Sequence, residues 1–138
     1  LLRGAPEAQL TTIDEDLDIH QVARSVFQSA SLARRTRFIT GRAAEVLPRM
    51  NEQAYDVVLV DADPQGVQGY VDVALRLARP GGSVLVPRVL HGGRVPNPAM
   101  RDATTVLYRD LLRGVRERTD VLAGLSIVGD GLLHLVRR

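Results

Sequence analysis

The chain has 138 residues, of which 45% are hydrophobic and 25% charged, with a formal net charge of +2. That suffices for one domain with a core, and no apolar run is long enough to span a bilayer. Cysteine is absent, which removes disulfides and thiolate chemistry, and all 18 basic residues are Arg, which removes any lysine base, Schiff base or P-loop lysine.

Leu1 to Arg3 read as the last turn of a helix, stopped by Gly4 and Pro6. Gln9 to Ile13 read as a short strand, followed by Asp14, Glu15 and Asp16. From Ile19, the apolar residues Ile19, Val22, Ala23, Val26, Phe27 and Ala30 form one stripe of an amphipathic helix. Asp16 or Asp18 suits its N-terminus. His20 falls on the polar side and is expected at the surface. Arg37 to Thr40 give a second strand ending at Gly41, and Ala43 to Met50 a short helix.

The stretch Tyr55 to Asp63 organises the rest. Val57 to Val60 are four consecutive apolar residues, three of them β-branched, bounded by carboxylates. Such a run predicts a strand buried on both faces. Asp61 and Asp63 then stand at its carboxyl end, the edge where open α/β sheets bind ligands. Val67, Tyr70, Val71, Ala74, Leu75 and Ala78 predict a helix, stopped by Pro80-Gly81-Gly82, and Ser83 to Val86 the next strand.

Leu90 to Pro98 read as a loop, and a long helix is expected from near Pro98. Its core face would be Met100, Ala103, Leu107, Leu111 and Val115. Val121 to Val128 and Leu132 to Val136 are two strands joined by Gly129-Asp130-Gly131, a strong hairpin signal. Strand and helix alternate and a hairpin ends the chain. The fold class is α/β, a doubly wound, mostly parallel sheet with a C-terminal antiparallel hairpin, in a single domain.

Tyr-Asp-Val-Val-Leu-Val-Asp-Ala-Asp (55–63), Leu-Arg-Leu-Ala-Arg-Pro-Gly-Gly (75–82), Val-Leu-His-Gly-Gly-Arg-Val (89–95) and Gly-Asp-Gly-Leu-Leu (129–133) together resemble S-adenosylmethionine-dependent O-methyltransferases of the catechol and caffeoyl-CoA type. The resemblance implies a Rossmann-like fold, S-adenosylmethionine as cofactor and a small-molecule hydroxyl as acceptor. It also implies that Asp14 holds the cofactor ribose, that Gly41, Arg42 and Ala43 surround adenine, and that Asp61 lies beside the cofactor.

In the resembling family the residue at Asp61 also binds a divalent metal, with an Asp-Asn pair after the next strand. Here that pair is Pro87-Arg88. Pro87 offers no side-chain ligand and Arg88 brings its own positive charge, so no metal of the family type is expected. The family's Lys after Asp-Ala-Asp is Pro64, and its following Tyr is Val67. The resemblance thus implies the fold more strongly than metal-assisted chemistry.

The family opens with a strand and a glycine-rich loop, and no G-x-G pattern stands in the first forty residues. The expectation is a truncated chain whose central first strand is missing, which leaves strand edges unpaired and binds S-adenosylmethionine poorly by itself. Strand exchange in a homodimer would pair those edges.

His91, in the glycine-rich loop, is the candidate general base. His134 is read as structural. The clusters Arg34, Arg35, Arg37 and Arg113, Arg116, Arg118 are read as solvated faces. With 16 carboxylates against 18 arginines and only 4% aromatics, nucleic acid is not an expected partner, and a cytoplasmic location fits. The alternatives are a non-catalytic dimeric module and another doubly wound nucleotide-binding protein.

Overall fold

Asp16 sets the start of the first helix in the computed structural model, which describes residues 1–138. Its side chain accepts from the backbone N–H groups of Asp18 and Ile19, at 2.8 and 3.2 Å. The chain divides into two compact units, Leu1–Met50 and Asn51–Arg138.

The first unit holds β1 (Leu10–Asp14), α1 (Leu17–Ser29), β2 (Thr36–Thr40) and α2 (Ala43–Val46). β1 and β2 pair in parallel, from Leu10 opposite Thr36 to Asp14 opposite Thr40. The inward side of α1 is His20, Ala23, Phe27 and Ala30. Ile19, Val22 and Val26, expected in the core, are 55%, 66% and 60% exposed. The cap at Asp16 fixes where the helix begins, and aromatic packing selects its inward face. Phe38 on β2 takes the rings of His20 and Phe27 edge-on, at centroid distances of 5.6 and 5.8 Å. The Arg24 guanidinium lies 4.6 Å over the same ring. His20 is therefore buried, not at the surface.

Leu1 to Arg3 form a turn, with Gly4 and Ala5 donating to the Leu1 carbonyl. Arg35 holds that turn. Its guanidinium donates to the carbonyls of Leu2, Ala5, Pro6 and Ala8, which corrects its reading as part of a solvated face.

The second unit holds β3 (Tyr55–Leu59), α3 (Val67–Leu77), β4 (Ala78–Pro87), α4 (Ala103–Glu117), β5 (Val121–Ser126) and β6 (Leu132–Arg137). The sheet order is β3-β4-β6-β5, with β3 parallel to β4 and the other pairs antiparallel. β4 begins earlier than Pro-Gly-Gly suggests. Ala78 already pairs with Tyr55, and an irregularity follows before Ser83 meets Val57. Gly82 sits in it because a Cβ there would come within 2.8 Å of the Arg79 carbonyl and 3.0 Å of the Tyr55 carbonyl.

Val60, Val84, Val86, Leu133 and Leu135 form one side of the core, and Val71, Leu75, Leu111 and Val115 from α3 and α4 form the other. Both helices cover the same face of this sheet. Val57 and Leu59 point to its opposite face and are 44% and 53% exposed. Burial of that run on both faces is thus not realised within the unit. α4 starts at Ala103, capped by Asp102, and its buried residues are Thr105, Tyr108, Leu111 and Val115. Leu111 and Val115 are buried as expected and Leu107 is half-buried, whereas Met100, which precedes the helix, and Ala103, which opens it, are exposed.

The alternation of strand and helix and the terminal antiparallel hairpin are as expected. β1 pairs only with β2, and β3 only with β4, so each keeps one unpaired edge. No helix is long and apolar enough to cross a membrane.

Candidate active site

In the first unit, Asp14 is the last residue of β1, and its backbone and side chain both tie down the next turns. Its carbonyl accepts from the Gly41 N–H at 2.9 Å, and its Oδ1 from the Asp16 N–H at 2.9 Å. Gly41 follows β2 with φ of +154°, a conformation that L side chains rarely adopt, and a Cβ there would lie 3.1 Å from Val46 Cγ2. Arg42 precedes α2, its carbonyl accepting from Glu45 and Val46, while its exposed guanidinium lies 3.8 Å from Glu15. Ala43 opens α2. Asp14, Gly41, Arg42 and Ala43 are thus brought together at the carboxyl ends of two paired parallel strands.

In the second unit, Asp61 follows β3 and Arg88 follows β4, and their side chains form an ion pair. Asp63 accepts from the Gly66 N–H at 2.9 Å and from the Tyr70 hydroxyl at 2.8 Å. The Tyr70 hydroxyl, then the Gly66 N–H, hold its carboxyl below the usual carboxylate range. Arg88 and His91 both have positive φ, 59° and 49°, and His91 N–H donates to the Arg88 carbonyl at 3.1 Å. Two such residues in one turn store strain that the surroundings must hold. The hairpin supplies the hold. The Leu90 N–H donates to the Asp130 carbonyl at 2.9 Å, and the Gly92 N–H to Asp130 Oδ1 at 2.7 Å.

The His91 ring lies 6.2 Å from the Tyr108 ring, and its Nε2 lies 3.6 Å from Asp102 Oδ1. Asp102 takes the Thr105 hydroxyl at 2.8 Å and the Thr105 N–H at 3.0 Å, which pull its pKa down to about 2. Burial pushes the Tyr108 hydroxyl up. The donors around Asp61 do not suit a divalent cation. Pro87 has no side-chain ligand atom, and the Arg88 guanidinium pairs with the Asp61 carboxylate.

A sequence-family model described as O-methyltransferase matches residues 2–138. The chain belongs to the O-methyltransferase family. A Mycobacterium avium protein, whose name assigns it to the O-methyltransferases provisionally, is 42% identical over 139 residues, covering 99% of this chain and 63% of its own length. The O-methyltransferase TomG from Streptomyces achromogenes, solved with S-adenosylmethionine, superposes with a TM-score of 0.85 at 30% identity, over 96% of this chain and 63% of that one. An O-methyltransferase from Bacillus cereus, solved with S-adenosylhomocysteine, gives a TM-score of 0.84 at 25% identity, over 94% and 63%. The chain thus spans less than two thirds of the length of these relatives.

Four residues of this O-methyltransferase-family chain matter more than sequence reasoning allowed. Asp130 grips the His91 loop, and its place in the Gly-Asp-Gly turn was the signal. Arg109 donates to the carbonyls of Arg94, Val95, Asn97 and Met100, and nothing local announces those contacts. Tyr108 shares the buried face of α4 with Leu111 and Val115, and its ring lies 6.2 Å from that of His91. His20 is buried with its Nδ1 3.1 Å from Thr40 Oγ1, while its Nε2 has no partner. An orphaned buried polar group of that kind costs about 1–3 kcal/mol.

Proposed function

We propose that the protein is an S-adenosylmethionine-dependent O-methyltransferase that methylates a small-molecule hydroxyl without a divalent metal. The observation that carries this reading is the joined turn of Asp14 and Gly41. It puts a carboxylate with a free oxygen beside a glycine whose backbone conformation L side chains rarely adopt. That pairing suits a ribose diol next to an adenine ring. Asp14 would hold the ribose hydroxyls, Gly41, Arg42 and Ala43 would flank the base, and Asp61 would lie along the cofactor. When bound, the cofactor supplies an electrophilic sulfonium methyl.

The chain's own residues do the rest by positioning and proton handling. The Arg88 guanidinium, anchored on Asp61, has N–H groups left to orient the acceptor oxygen. His91 takes the proton from the acceptor hydroxyl. With Nε2 beside Asp102, Nδ1 is the nitrogen left to receive it, and the ionised Asp102 favours the imidazolium that forms.

The same proposal includes a homodimer, supported by the unpaired edges of β1 and β3. A stable monomer in native mass spectrometry would remove that part. The Asp61–Arg88 pair, with Pro64 and Val67 at the family's Lys and Tyr positions, favours a second reading, a module that kept the fold and lost the chemistry. Calorimetric titration of the full-length protein with S-adenosylhomocysteine decides between them. Saturable binding that an Asp14→Ala variant abolishes supports the methyltransferase. Absence of binding at millimolar ligand leaves the module.

A further inference from the structure

We infer that His20 is a positioning residue, which fixes the turn between Asp14 and Gly41 and through it the adenosine end of the cofactor site. The inference rests on the assignment of that turn to the cofactor made above.

His20 is 3% exposed, and one ring nitrogen finds no hydrogen-bond partner. Burial alone does not account for an imidazole here. A leucine or phenylalanine would fill the space against Phe38 without an orphaned nitrogen. What an apolar side chain could not do is reach Thr40, and the Nδ1 to Thr40 Oγ1 hydrogen bond ties α1 to the last residue of β2 at 3.1 Å.

That bond completes a ring. The Asp14 carboxylate accepts from the Asp16 N–H, and the Asp16 carbonyl accepts from the His20 N–H at 3.1 Å. His20 then reaches Thr40, the neighbour of Gly41, and the Gly41 N–H returns to the Asp14 carbonyl at 2.9 Å. Every link but one is made by backbone or by a short aspartate. His20 supplies the side-chain link from α1 to β2, so it can be removed without changing strand pairing or the helix cap.

The test compares His20→Phe with His20→Asn in the whole protein. Phenylalanine keeps the edge contact with Phe38 and loses the bond to Thr40. Asparagine places a polar atom close to the Nδ1 position. Affinity for S-adenosylhomocysteine, read by calorimetry, should fall about tenfold in His20→Phe and recover to within about threefold of the parent in His20→Asn. Amide hydrogen exchange gives a second reading. The Gly41 amide should exchange about tenfold faster in His20→Phe, with the Phe38 amide in mid-strand unchanged. Equal affinity in parent and His20→Phe would overturn the inference, as would a uniform rise in exchange along β2. Should the parent protein fail to bind the ligand, the cofactor assignment falls. The selective change at Gly41 then still decides whether His20 holds the turn.

Discussion

Arg88 turns its guanidinium onto the Asp61 carboxylate, joining the residues that follow two neighbouring parallel strands. A protein cation there takes one carboxylate oxygen and repels a second cation. Wild-type protein should therefore show no saturable response to Mg²⁺ in calorimetry, and its methyl transfer should survive a chelator. The double variant Pro87→Asp, Arg88→Asn removes the guanidinium and adds oxygen donors beside Asp61. It should gain saturable Mg²⁺ binding. Tight Mg²⁺ binding by the wild type would mean that the ion pair opens to admit a metal.

Asp102 keeps its charge down to about pH 2 through the Thr105 hydroxyl and N–H, and it faces His91 Nε2 at 3.6 Å. His91→Gln should lower kcat by about 10²-fold, with KM little changed. Asp102→Asn keeps the ring and loses the charge beside it, and should lower kcat by less than His91→Gln does. A kcat in His91→Gln equal to that of the parent would exclude His91 as the base.

Much of this arrangement was readable from residue order, and the exceptions share a cause. Short-range signals set the strands, the hairpin and the positions of Asp14 and Asp61 at strand ends. Periodicity also found α1 and α4 and part of their inward faces, Ala23 and Phe27 on the one and Leu111 and Val115 on the other. Asp16 and Asp102 cap these helices, and burial then selects His20 rather than Ile19, and Tyr108 together with Thr105 rather than Ala103. A run such as Val57 to Val60 says that a strand is apolar, not which of its faces a helix covers. The clamps by Arg35 and Arg109 are least legible, because a guanidinium on backbone carbonyls leaves no pattern in the side chains it serves. Arg88 was visible as a departure from the family, whereas its bond to Asp61 needed the two strands to be paired.

Asp63 owes its depressed pKa first to the Tyr70 hydroxyl and then to the Gly66 N–H. A carboxyl whose folded pKa lies below its unfolded one adds stability above the unfolded value. That stability is lost as the pH falls through the folded value. Tyr70→Phe removes the hydroxyl alone. It should raise the Asp63 pKa toward the ordinary range, seen by carboxyl-detected NMR titration, and start acid unfolding at higher pH. No movement of the Asp63 titration would show that the Gly66 N–H suffices.

Arg109 makes the loop after β4 a single piece. Its Nε donates to the Val95 carbonyl at 2.8 Å and its Nη1 to Met100 at 2.6 Å, while Nη2 reaches Arg94 at 3.1 Å and also Asn97. Four carbonyls of one loop thus converge on one planar cation, which lysine cannot imitate with its single ammonium. Arg109→Lys should cost about 1.5–3 kcal/mol in urea unfolding, the range for hydrogen bonds to charged groups. Arg109→Met should cost at least as much, because it leaves the same carbonyls without a donor. The loss should be local as well as global. Amide exchange from Arg94 to Met100 should rise well beyond that of Val84 and Leu135, which lie in the core of the same unit. Exchange that rises equally at all these positions would show that Arg109 supports the unit as a whole rather than its loop.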